Sequence, residues 1–118
     1  MKANFASINR FALIIRAKKP LIAWVNEVFP DDPVDFDALQ GHDHLEVFLI
    51  PEFPDLEEAQ EWLETNYLSF LEYILETWCA DSDIWPEIRN WTLFEKLLDY
   101  SIESLVIDTV DDEYDEEE

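Results

Sequence analysis

The 118-residue chain predicts an α+β domain, a small three-stranded sheet packed by helices, and three observations carry that prediction. Residues 55–79, DLEEAQEWLETNYLSFLEYILETWC, contain no Gly or Pro and repeat apolar residues at helical spacing. Two short apolar runs, 9–16 and 45–50, have the length of strands. The elements fall in the order β-α-β-α-α-β, and three short strands need helices to cover them. A single domain over residues 1–110 is the reading, followed by an acidic tail at 111–118.

Residues 9–16, NRFALIIR, are too short for a core helix and read as a buried strand. Pro20 suits the first turn of a helix carrying Leu21, Trp24, Val25 and Val28 at i, i+3, i+4 and i+7. That helix must stop near Phe29, because Pro30 and Pro33 bracket an acidic turn. Residues 34–40 form one more short turn, closed by Gly41, the one glycine of the chain. The second strand, 45–50, is LEVFLI. Leu45, Val47 and Leu49 share one face, and Glu46, Phe48 and Ile50 share the other. If the first two strands lie parallel, their crossover is right-handed.

The long helix opens on a capping signature, Asp55 with Glu58 three residues later and Pro54 before it. Its apolar faces are offset when residues are placed at about 100° each. Leu56, Ala59, Trp62 and Leu63 cluster in the first half. Leu68, Leu71, Ile74, Leu75 and Trp78 cluster roughly 100° further round. Two neighbours on different sides of the helix would accommodate the offset; the favoured expectation is a kink near Thr65-Asn66, a π-bulge or short break. Asp81-Ser82-Asp83 ends the helix, and the IWPEIRNW segment is a Trp-rich connector. Thr92-x-x-Glu95 reads as a second capping box, opening a helix with Leu93, Phe94, Leu97 and Leu98. The third strand is expected over 102–110, centred on Leu105-Val106-Ile107. The last eight residues, DDEYDEEE, hold seven acids and read as a disordered tail.

Charge bounds the function. The net charge is −22, with 29 acids against 7 Lys and Arg. Lys2, Arg10, Arg16, Lys18 and Lys19 precede the first acid, Glu27; beyond it the only Lys or Arg are Arg89 and Lys96. Such a surface repels nucleic acid and anionic membrane, and it suits a basic partner. No apolar run approaches the roughly 20 residues of a membrane span, and the apolar run 11–15 is too short for a signal-peptide core. The single Cys79 forbids an internal disulfide. Cytoplasm is the expected compartment.

The segments NRFALIIRAKKPLIAWVNEV, EVFLIPEF and ETWCADSDIWPEIRNWTLFEKLLD together resemble a group of small acidic uncharacterised bacterial proteins. The likeness covers most of residues 9–110. It implies a bacterial cytoplasmic protein and assigns no chemistry, cofactor or site residue.

Candidate sites come from residue chemistry alone. Glu57, Glu61 and Glu64 line one face of the long helix, and a rigid acidic row can dock a basic protein surface; a solvated helix face is the ordinary alternative. Trp85 and Trp91, in the connector, are candidates for an exposed aromatic patch, with core packing as the alternative. Arg16, Lys18 and Lys19 gather before a helix N-terminus, where cations oppose the dipole, so a bound anion or the protein's own carboxylates should compensate. In an extended segment His42 and His44 lie about 6.6 Å apart on one side, close enough to share a metal ion with a third ligand from elsewhere. Cys79 lacks a base to activate it and reads as a small buried residue. One glycine excludes Gly-rich phosphate loops and the G-x-S-x-G elbow, and neither CxxC nor HExxH occurs. The expectation is a non-catalytic acidic interaction domain, without cofactor, docking a basic macromolecule through Glu57, Glu61, Glu64, Trp85 and Trp91. The rival is a small-molecule, anion- or metal-binding protein, an enzyme included, using Arg16, Lys18 and Lys19 or His42 and His44.

Overall fold

The structure, a computed structural model, describes residues 3–39 and 45–111. His42, His44, Gly41 and the tail from residue 112 lie outside the described residues. In chain order the elements are β1 (Ala6–Ser7), β2 (Arg10–Ala17), α1 (Lys19–Val28), α2 (Phe36–Leu39), β3 (Glu46–Pro51), α3 (Leu56–Trp78), a 3₁₀ turn (Ser82–Ile84), α4 (Trp91–Leu97), β4 (Leu98–Glu103) and β5 (Ile107–Asp108). The fold is α+β. A three-stranded sheet in the order β3-β2-β4 has the first long strand at its centre, and helices cover one of its faces.

Both pairings of β2 are antiparallel, Ile15 opposite Glu46 of β3 and opposite Tyr100 of β4. The first two long strands are therefore not joined by a parallel crossover. The excursion through α1 and α2 brings the chain back to the end of β2 it has just left. Asn26 closes the intervening loop, its side chain donating to the Val34 carbonyl at 3.0 Å and accepting from the Val34 N–H at 2.7 Å.

The expected third strand divides in two. Residues 98–103, LDYSIE, alternate Leu98, Tyr100 and Ile102 inward with Asp99, Ser101 and Glu103 outward, and form β4 directly after α4. Only Ile107–Asp108 of the later run pairs, with β1, in a separate two-stranded ribbon. The pairing of Leu98 with Ala17 ends α4 one residue earlier than its apolar pattern suggests. Its start differs too. Asn90, not Thr92, caps the helix, accepting from the Leu93 N–H at 2.8 Å, so Thr92 lies within the first turn.

α3 begins as expected, with the Asp55 carboxylate accepting from the Glu58 N–H at 2.8 Å. It then runs as one uninterrupted α-helix to Trp78, which corrects the expected kink. The residues it buries, Ala59, Leu63, Leu71, Ile74 and Leu75, spread over an arc of roughly 160° at about 100° per residue. The offset is real: Leu71 and Leu75 stay rotated from Ala59 and Leu63, and the helix stays straight because core partners meet it on more than one side. At the expected break, Thr65 and Asn66 donate back to the carbonyls of Glu61 and Trp62 at 3.1 and 2.8 Å, and the α-helix runs on through both residues.

The core is one cluster. Phe11, Leu13, Ile15 and Ala17 of β2 meet Leu21, Ile22 and Val25 of α1, the buried stripe of α3, and Phe94 and Leu97 of α4. Full burial of a side chain such as Leu13 is worth about 1.5–3 kcal/mol relative to exposure. Among the described residues, no helix is long and apolar enough to cross a membrane.

Candidate functional site

Glu57, Glu61 and Glu64 project from the first half of α3, away from its buried Ala59 and Leu63, and all three are exposed. The helix that carries them is anchored along its length, so their spacing is set by backbone geometry at about 5–6 Å between neighbours. Leu68 continues the row one turn further on. Glu64 accepts from the Gln60 amide at 3.3 Å, and the same amide donates to the Tyr100 hydroxyl at 2.6 Å, tying one end of the row to β4. The described residues make two ion pairs, Arg16 with Asp99 at 3.3 Å and Arg89 with Glu72 at 3.4 Å. Neither touches the row, whose negative charge is uncompensated among those residues.

The three early cations do not converge. Arg16 lies on the uncovered face of the sheet, paired with Asp99 of β4. The Lys18 ammonium donates to the Glu95 carbonyl at 2.8 Å, and the Lys18 N–H to the Leu97 carbonyl at 2.9 Å. Lys19 sits over the Phe36 ring, 5.8 Å from its centroid. The negative end of α4 thus supplies the compensation that the positive end of α1 demands of Lys18. Donors for an outside anion are also scarce at α1. Pro20 has no N–H, and the N–H groups of Leu21 and Ile22 both point at the Lys18 carbonyl.

Trp85 and Trp91 are half-buried and pack against the core, as the core-packing alternative has it, and do not form an exposed patch. The Trp85 indole donates to the Cys79 carbonyl at 2.7 Å, and Arg89 lies over its ring at 5.8 Å. Trp91 stacks on Phe94 with ring centres 5.0 Å apart and meets Tyr67 and Tyr100 edge-on. Arg89 fastens the connector to α3. Its Nε is within ion-pair distance of Glu72 without the alignment of a hydrogen bond, and its Nη1 donates to the Pro86 carbonyl at 2.8 Å. The exposed apolar residues of the connector are Ile84 and Ile88, the latter 75% exposed. Cys79 is buried, as its neighbours imply. No cluster of three metal-ligating side chains occurs among the described residues.

Sequence reasoning missed a recess of about 210 Å³ between the sheet and the C-terminal half of α3. Ile15 and Leu98 line it from the sheet, Ile74 and Trp78 from the helix, and Glu46 and Thr77 bring side-chain oxygens to it. The signal was present: Glu46 is in phase with Phe48 and Ile50, so once Ile50 faces the core a carboxylate stands on the same face. Comparisons with protein-family models, curated proteins and solved structures found no match to this chain.

Proposed function

We propose that this protein is a non-catalytic interaction domain that docks a basic protein partner through the exposed row Glu57, Glu61 and Glu64. The observation that carries the reading is the row itself: three carboxylates on one rigid helix face, with no cation of the described residues paired to them. A fixed array of uncompensated charge steers and orients an oppositely charged surface at little ordering cost. Trp85 and Trp91 serve this reading by holding the connector against α3 rather than by touching the partner. Nucleic acid and anionic membrane are disfavoured by a net charge of −22. The single buried Cys79 suits a reducing bacterial cytoplasm.

The test is capture from a bacterial lysate at low salt, with stepwise salt elution and identification by mass spectrometry. The expected result is a defined basic protein that moderate salt releases and that the Glu57→Gln/Glu61→Gln/Glu64→Gln variant no longer retains. Equal retention by the variant, or no specific retention by either, overturns the reading.

A further inference from the structure

Two side-chain oxygens, from Glu46 and Thr77, face the recess between the sheet and α3, beside the indole of Trp78. Glu46 is half-buried on the helix-facing side of β3, and it has no ion-pair or hydrogen-bond partner among the described residues. A carboxylate offers acceptors alone. The Thr77 hydroxyl donates to the Ile74 carbonyl at 2.6 Å, so its proton is committed and its free lone pair is a second acceptor. Trp78 adds an aromatic ring to the same wall, and ring faces attract cations. The remaining lining, Ile15, Ala17, Ile74 and Leu98, is aliphatic.

We propose that this recess is a site for a primary alkylammonium group, an aliphatic stem of about four carbons ending in a cation. The ammonium carries three donors and no acceptor, which matches acceptors on Glu46 and Thr77. The stem replaces water against the aliphatic walls. A space of about 150 Å³ suffices for a benzene ring, so 210 Å³ holds such a chain. A neutral alcohol of the same length fills the walls equally but leaves the carboxylate without its counter-charge. The same chemistry is presented by a lysine side chain of a partner and by a free amine. The inference does not rest on the acidic row, which lies on the first half of α3, away from the recess at its C-terminal half.

The experiment is an NMR titration of the full chain with n-butylammonium chloride and, separately, with 1-butanol. Butylammonium is expected to shift the Trp78 indole N–H and the Ile74 methyl signals saturably, binding roughly tenfold more tightly than the alcohol. Glu46→Gln, which keeps shape and removes charge, should bring the two ligands to near parity while signals from the Trp91–Phe94 stack stay in place. Equal binding of alcohol and amine to the native chain, a preference unchanged in Glu46→Gln, or shifts confined to the exposed acids would each overturn the site. Titration with acetyl-Gly-Lys-Gly-amide separates the sources: matching shifts assign a partner's lysine, and binding of the free amine alone assigns a small molecule. Either supports the site.

Discussion

On the helix-covered face of the sheet, Leu13, Ile15 and Ile50 are closed to solvent, whereas on the other face Val47 and Leu49 are 63% and 50% exposed. The two sets are equally apolar, and in β3 they alternate along one strand. What separates them is which side the helices cover. Apolar character permits burial and does not compel it, since much of any folded surface is apolar. The inner face therefore carries stability, while the outer face contributes little beyond its strand pairing. Its cross-strand neighbours, Ile14 beside Val47 and Ala12 beside Leu49, form a surface edged by Arg16 and Asp99.

The difference between the faces is measurable by substitution. Leu13→Ala should cost about 2–5 kcal/mol in urea unfolding, the range for emptying a close-packed core site. Val47→Ser, one strand away on the outer face, should stay within about 0.5 kcal/mol; a comparable loss at both positions would mean that both faces are covered. Asp55→Ala tests the helix that creates the asymmetry, and losing its cap should cost about 1 kcal/mol. Arg16→Ala, which breaks the exposed pair with Asp99 on the outer face, should change stability by less than about 1 kcal/mol, with salt erasing even that.

Elements with strong local signals were legible. The Asp55 cap, Pro20 in the first turn of α1, and the apolar run of β2 each depend on a few adjacent residues, and the structure has all three. What escaped was decided by distant partners. The alternation of LDYSIE is clear once Leu98 pairs with Ala17, but read alone its opening leucine extends a helix. The kink expected in α3 did not form because core partners meet the helix over a wide arc, and spacing alone does not say where those partners stand. The acidic row was legible because a helix face follows from spacing alone. The inward position of Glu46 was not, because nothing local says which side of β3 faces the helices.

The most direct measurement compares two variants of equal charge against the native chain in the same capture. One neutralises Glu57, Glu61 and Glu64; the other neutralises Glu76, Glu87 and Glu103, exposed acids outside the row. If the row is the docking face, the first variant loses the retained partner and the second keeps it at nearly the native salt of elution. If both lose the partner equally, binding follows net charge rather than a built surface, and the central claim is contradicted.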